Sequence, residues 1–241
     1  MTKAPAARTF EVRHVQIARA AIATIAAVMV TFSPDHSAAV GLSIFSGFAF
    51  LNALVLLVAS KAVYPAGRRW PAVALGVLFA VAGLASSVAQ LRSIIMFFVI
   101  VIAWALTTGL IETIAGARDL RAARREQTAD ATRSESRDAL TIGILTTVLG
   151  LVLLLVPTQY ALEYTIEDAN ATFTLTGIII GVGIFGGYTA IVAVYLGIAG
   201  FSPRKPLTVT TEAPDERAIY PSAERKADAS PTTAHDDRGT A

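Results

Sequence analysis

The chain of 241 residues contains no cysteine. This absence excludes disulfide bonds, thiolate metal sites, iron–sulfur clusters and cysteine nucleophiles. Histidine is scarce as well, and His14, His36 and His235 are too scattered to ligate a metal from one helix. Charged residues make up only 16%, against about 25% in an average soluble domain. We therefore expect no metal, no cofactor and a class other than an ordinary soluble protein.

Hydrophobic residues, by contrast, are abundant: they make up 54% of the chain, and the mean hydropathy is +0.58. This composition is typical of a protein that crosses the bilayer several times. The net charge is only +2, although the pI is near 9.0, because the basic residues are unevenly placed. We interpret their placement as an orientation signal, so the expected partner is the lipid bilayer and no nucleic acid is expected.

The most informative stretch runs from Ser93 to Ala117 and contains a single charge, Glu112. Its length of about 25 residues, at ~1.5 Å each, exceeds the ~30 Å hydrocarbon thickness of a bilayer. Arginines follow at once, at Arg118, Arg121, Arg124 and Arg125. A basic flank of this kind is retained on the cytoplasmic side during insertion. The stretch therefore predicts a membrane-spanning helix that ends in the cytoplasm.

Similar reasoning along the chain predicts an all-α integral membrane fold, a six-transmembrane-helix bundle. The predicted spans cover residues 17–32, 38–60, 71–89, 93–117, 140–156 and 172–200. Residues 1–16 form a predicted cytoplasmic N-terminal segment. Residues 201–241 are rich in Pro, Thr, Ser, Ala and charges of both signs, which predicts a disordered cytoplasmic tail. That tail is either a solvated extension or a segment that is phosphorylated or binds a partner.

Three details of this assignment carry specific expectations. Arg19 is the one charge in the first span, and we expect its guanidinium to snorkel to the lipid headgroups. Residues 117–138 lack an apolar stripe, so the fourth helix should project into water and give way to a flexible stretch. Residues 158–171, which contain three acids and no basic residue, should form a loop. The basic start and short first span also fit a cleaved signal peptide, an alternative that the internal repeat disfavours.

The distribution of basic residues predicts the orientation of the bundle. If both termini lie in the cytoplasm, 19 of the 20 Lys and Arg residues fall on that side, and only Arg92 falls outside. The opposite turns hold acids instead, at Asp35, Glu163, Glu167 and Asp168. This split follows the positive-inside rule.

Small residues recur in a pattern that suggests an internal repeat. In the odd-numbered helices they lie seven positions apart, at Ala20 and Ala27, Gly76 and Gly83, and Gly143 and Gly150. The even-numbered helices have matching small positions at Ala53, Gly109 and Ala190. Small residues let helices approach closely in lipid, and a spacing of seven keeps them on one stripe. We predict three helical hairpins of one kind, made by helices 1 and 2, 3 and 4, and 5 and 6.

Two of these motifs resemble a known family. The pattern of Gly143, Gly150 and an apolar run that ends in Pro157, together with Gly109-Leu-Ile-Glu112 and its arginine-rich exit, resembles the HdeD-like acid-resistance membrane proteins. The resemblance covers about residues 17–200. It implies a six-helix protein of the bacterial plasma (inner) membrane, linked to survival at low pH, with no known biochemical activity. Gln90 departs from the pattern, since a proline is expected there.

Three residues are candidates for function. Glu112 is the only carboxylate within a predicted span, and it has either an interfacial, structural role or a role in proton handling or partner binding. Asn52 lies in mid-span, where its amide can hydrogen-bond across helices or contact a ligand. His36 lies in the predicted outer turn. It is either an ordinary turn residue or a pH sensor, because a histidine imidazole gains a positive charge as the pH falls.

No acid, base and nucleophile lie together at one depth, so the sequence disfavours a lipid-modifying enzyme. The first hypothesis is a non-enzymatic multi-pass membrane protein that contributes to acid or envelope stress tolerance, as a homo-oligomer or with a membrane protein partner. The alternative is a small transporter or channel for protons or small solutes.

Overall fold

The structure of the protein is a computed structural model that describes residues 11–64, 67, 69–125, 130–166 and 171–202. Most of the predicted N-terminal segment and nearly all of the predicted tail lie outside these residues. The elements are α1 (Val12–Phe32), α2 (Ala38–Ala62), α3 (Trp70–Ser87), α4 (Ile94–Arg125), α5 (Asp130–Leu154), β1 (Ala161–Ile166), β2 (Ala171–Thr176) and α6 (Gly177–Phe201). A single 3₁₀ turn, Ala89–Leu91, joins α3 to α4.

All six helices are long and apolar enough to cross a membrane, as the sequence predicts for a multi-pass membrane protein. The predicted boundaries hold closely for α2, which begins after the Ser37 N-cap, and for α3, which begins at Trp70 with Pro71 in its first turn. At about 1.5 Å per residue, the 32 residues of α4 extend about 48 Å and therefore project beyond a bilayer core.

Two helices begin earlier than predicted. Residues 12–16, assigned to the N-terminal segment, are the first turn of α1, because Val15 and Gln16 are buried against other helices. Residues 130–139, assigned to a flexible stretch, are the first part of α5. They are helical because α5 continues to pack on α4 beyond the apolar core, so the missing apolar stripe was a poor guide there.

The all-α prediction needs one correction, at the predicted loop between the last two spans. The chain forms an antiparallel β-hairpin there, with β1 paired to β2 from Ala161–Thr176 to Ile166–Ala171. Residues 172–176, predicted as the start of the last span, are therefore a strand, and α6 begins at Gly177. Threonine and aromatic residues, which are frequent here, favour an extended backbone.

The helices pack most extensively in pairs that differ from the predicted hairpins: α2 with α3, α4 with α5, and α6 with α1. The predicted partners, such as α1 and α2, are also in contact, but less extensively. The repeated glycines explain this, because they lie in the extensive interfaces. A Cβ on Gly76 would lie 2.8 Å from Leu57, and one on Gly109 would lie 2.6 Å from the backbone nitrogen of Thr147. The small position predicted in α6, Ala190, is exposed. Two other small residues of α6, Gly186 and Gly200, contact α1 in its place.

The two ends of this bundle can be told apart by their residues. We call one end of the bundle the basic end, because it carries the arginines of α4. At this end α1, α3 and α5 begin, and α2, α4 and α6 end. We call hairpin end the opposite one, which carries the β-hairpin. Contacts between Gly200 and Ile17, and between Val15 and Ala59, confirm that these helix ends lie together.

Candidate functional site

A buried ion pair joins α1 to α4 near the basic end. The Nη1 of Arg19 donates a hydrogen bond to Oε1 of Glu112 at 2.9 Å, and the two side chains are only 12% and 7% exposed. The Nε of Arg19 is buried and has no hydrogen-bond partner among the residues that the structure describes. Removing two charges from water is costly, and only a close mutual contact offsets that cost. The pair therefore ties two helices together where a lone charge would be unfavourable.

Helix geometry explains why both side chains face inward. Gln16, Arg19 and Ala23 follow the spacing of three and four residues that defines one helix face, and Gln16 and Ala23 are buried. On α4, Thr108 and Glu112 share a buried face in the same way. The prediction that Arg19 snorkels to the headgroups is wrong, because its guanidinium finds a carboxylate partner inside the bundle.

A second polar group lies beside the ion pair and connects three helices. Gln16 of α1 donates from Nε2 to Oδ2 of Asp138 at 2.8 Å, and the hydroxyl of Tyr195 of α6 donates to Oδ1 at 3.1 Å. Asp138 belongs to the first part of α5. Hydrogen bonds to an ionised carboxylate are stronger than neutral ones. This group therefore fixes the start of α5 against α1 and α6.

A cavity of about 130 Å³ adjoins both polar groups at the basic end, and all six helices contribute to its wall. A cavity of this size has room for several water molecules. Its charged wall residues are four acids and one base, namely Glu112, Asp119, Glu135, Asp138 and Arg19. The site can therefore accommodate water or a small polar molecule next to the ion pair.

The interior closes further toward the hairpin end. A cluster of buried aromatic rings from α2, α3, α4 and α6 fills it, with neighbouring centroids 5.1–6.2 Å apart for Trp104 and its partners, mostly edge to face. The members are Phe45, Phe48, Phe79, Trp104, Phe185 and Tyr188. The Tyr188 hydroxyl lies 2.8 Å from Oγ1 of Thr146. These rings are buried and in contact with one another in the middle of the bundle.

The other two predicted site residues lie apart from the ion pair. Asn52 is 2% exposed, and its Nδ2 donates to the carbonyl oxygen of Phe48 on the same helix at 2.9 Å, rather than to a neighbouring helix. His36 is half-buried in the turn between α1 and α2, at the hairpin end. In that turn Asp35 accepts hydrogen bonds from the backbone and the hydroxyl of Ser37. The structure therefore places Glu112 alone, of the three, in a polar cluster.

Sequence reasoning missed Arg19, Gln16 and Asp138 as parts of this cluster. A signal existed for Arg19: it lies seven residues into α1, and Glu112 lies a similar number of residues before the arginines of α4, so both have similar depth. Opposite charges at one depth in a membrane protein predict a pair. No comparable signal existed for Asp138, since it lies in a stretch that carries charges of both signs.

Within the described ranges, no group of three or more His, Asp or Glu side chains is arranged to hold a metal ion. Comparisons with family models, with curated proteins and with solved structures find no match for this chain.

Proposed function

We propose that this chain is a non-enzymatic multi-pass protein of the bacterial plasma membrane that contributes to acid or envelope stress tolerance, as the HdeD-like proteins that it resembles do. In this role it acts through packing, through a membrane protein partner or through a second copy. It needs no reaction and no cofactor.

The single observation that carries this proposal is the use of the only carboxylate predicted in a span. Glu112 is held by Arg19 at 2.9 Å, with both side chains largely buried. A carboxylate in this ion pair joins α1 to α4 and is already engaged, so it is a poor free nucleophile or base. The aromatic cluster that fills the interior beyond it agrees with a packed membrane protein rather than an open pore.

A survival assay in acid tests this function. Cells that lack the protein should lose viability at low pH, and the intact chain should restore it. The double variant Arg19→Gln/Glu112→Gln removes both charges without leaving one unpaired, so it should fold and restore survival if the pair is structural. Glu163→Gln, an exposed carboxylate of β1, is the matched control. Normal survival in cells that lack the protein would overturn the proposal.

The proposal includes an arrangement in the membrane, with both termini in the cytoplasm and three hairpins that follow one another in the chain. Its support is the concentration of arginines at the basic end of the bundle. Because the chain has no cysteine, Ser134→Cys and Thr165→Cys each introduce a unique thiol at an exposed position. A maleimide that cannot cross membranes should label intact cells at residue 165 only. Labelling at residue 134 alone would reverse the orientation.

One observation favours a second candidate, a small transporter for protons or small solutes. The 130 Å³ cavity adjoins the ion pair and receives residues from all six helices, so it offers a polar space in which a small solute could bind. Vesicles that contain the purified protein should then show proton or solute flux, and flux should fall in the double variant Arg19→Gln/Glu112→Gln but not in Glu163→Gln. No flux above that of empty vesicles would remove this candidate.

A further inference from the structure

The β-hairpin at the hairpin end has two chemically different faces. Side chains alternate between the faces of a strand, and paired residues share a face. Tyr160 precedes β1 and continues its alternation with Leu162 and Tyr164, while Leu175 pairs with Leu162. We call these four residues the apolar face. The other face is polar: Glu163 pairs with Thr174, and the hydroxyls of Thr165 and Thr172 lie 3.2 Å apart.

The apolar face is largely uncovered by the bundle. Leu162 is 49% exposed, Tyr164 is 47% exposed and Tyr160 is 38% exposed. An isolated two-stranded hairpin is at best marginally stable in water, and hairpins persist when an apolar face is packed. The described part of the chain leaves 38–49% of these three side chains open, so apolar area remains for a further surface to cover.

The position of the hairpin limits which surface can cover its apolar face. β2 ends at Thr176 and α6 begins at Gly177, with no linker between strand and span. The backbone N–H of Gly177 donates to the carbonyl oxygen of Tyr160 at 2.9 Å, which closes the base of the hairpin. On the other side, Leu154 ends α5 with 57% exposure, and Leu155 follows it with 81% exposure. The apolar surface of the spans therefore continues almost directly into the hairpin, which starts at the boundary of the hydrocarbon.

We propose that the apolar face of the hairpin docks on the bilayer itself, in the interfacial layer of the leaflet at the hairpin end. Tyrosine concentrates at this depth, because its ring is apolar and its hydroxyl stays hydrated. Glu163 and the threonines remain in water. This inference does not depend on the proposed function or on which leaflet is the outer one.

The dimensions predict how the hairpin lies. Six residues at about 3.3 Å each make strands about 20 Å long, whereas the interfacial layer of one leaflet is only about 5–8 Å thick. A hairpin that stood upright would leave the layer within two or three residues. To keep Leu162 and Tyr164 in contact with lipid, the hairpin lies nearly flat on the membrane.

Single cysteines in the full chain test this arrangement, because the protein has no other thiol. Leu162→Cys and Tyr164→Cys report on the apolar face, and Glu163→Cys and Thr165→Cys are matched controls on the polar face of the same strand. Each variant is labelled with an environment-sensitive fluorophore and reconstituted into phosphatidylcholine vesicles, with and without a lipid that carries a nitroxide near its headgroup. Equal helix content by circular dichroism confirms that each variant folds.

We expect an alternating result along β1. Labels at 162 and 164 should emit at shorter wavelength and be quenched severalfold more strongly by the nitroxide lipid than labels at 163 and 165. Equally weak quenching at all four positions would overturn the proposal, as would quenching that declines steadily from 162 to 165. Labels at 162 and 164 that emit at shorter wavelength but are not quenched by the nitroxide lipid would contradict docking on the bilayer. If the unlabelled cysteines at these positions also form disulfide cross-links between copies, the face belongs to a second copy of the chain instead.

Discussion

The basic end and the hairpin end of the bundle differ in which side chains they bury. The basic end buries charged side chains, whereas the hairpin end exposes apolar ones. At the basic end, a charged residue that could have reached the headgroups, Arg19, turns inward and pairs with Glu112. At the hairpin end, apolar residues of β1 such as Leu162 turn outward and are half exposed. The first end buries two opposite charges in contact with each other. The second depends on its surroundings to cover what it exposes.

Helix packing is also close near the ion pair. Near the level of Glu112, α4 and α5 approach so closely that glycines of one helix meet backbone of the other: Gly109 meets Thr147, and Gly116 meets Leu140. The pair α5 and α6, which the hairpin connects, is by contrast the least extensive of the contacts between consecutive helices. Changes at the contacts of α4 with α5 should therefore cost more than changes between α5 and α6.

The largest expected effect follows from breaking the ion pair. Arg19→Met should destabilise the protein by about 3–5 kcal/mol, because it leaves the Glu112 carboxylate buried without its partner. Unfolding of the purified protein in detergent by a denaturant, followed by circular dichroism, measures this loss. The double variant Arg19→Met/Glu112→Met should lose much less, since it leaves no charge unpaired. Equal losses in the single and double variants would contradict an energetically coupled pair.

A smaller effect should come from the contact between α4 and α5. Gly109→Ala places a Cβ 2.6 Å from the backbone nitrogen of Thr147, and a backbone atom has little freedom to move, so we expect a loss of about 1–3 kcal/mol. Gly187→Ala is the matched control on α6, where a Cβ meets open space and alanine favours the helix. Thermal unfolding of both variants in one detergent compares them, and a control that is equally destabilised would show that glycine flexibility, not close approach, matters.

The second polar group should contribute less than the ion pair. Asp138→Asn keeps the size of the side chain, but its amide N–H₂ faces Gln16 or Tyr195, which both donate to the carboxylate. We expect a loss of about 1–2 kcal/mol. Unfolding of this variant beside Glu163→Gln, which changes an exposed carboxylate in the same way, isolates the effect of the buried hydrogen bonds. Equal stability of the two variants would mean that Asp138 holds nothing in place.

The sequence was sufficient for the six helices, because runs of apolar residues of bilayer length depend on composition alone. It also located the small residues that control helix packing, such as Gly76 and Gly109. It did not show which neighbour each of them contacts. Spacing identifies a stripe on one helix, whereas the partner depends on how all the helices associate, so the hairpin pairs of the repeat are not the most extensive ones.

The candidate site was predictable only in part, for a similar reason. Glu112 stands out as a charge in an apolar run, but its partner Arg19 lies 93 positions earlier in the chain. Arg19 alone has two outcomes, snorkelling or pairing, and only the arrangement of α1 and α4 decides between them. Asp138 lies among other charges, which hid its contact with Gln16. The hairpin was missed because its short strands, with an acidic connection, resemble a polar loop.

The smallest expected effect on stability belongs to the hairpin end. Leu162→Thr replaces a half-exposed leucine by a residue that favours strands, so in detergent it should change the free energy of unfolding by no more than about 0.5 kcal/mol. The same exchange at the basic end, Leu196→Thr, affects a side chain that is 2% exposed beside the cavity and should cost about 2 kcal/mol or more. Denaturant unfolding of both variants measures the contrast. Comparable losses would mean that the apolar face of the hairpin is packed against the protein. The two ends would then differ in sequence but not in how far they depend on the membrane.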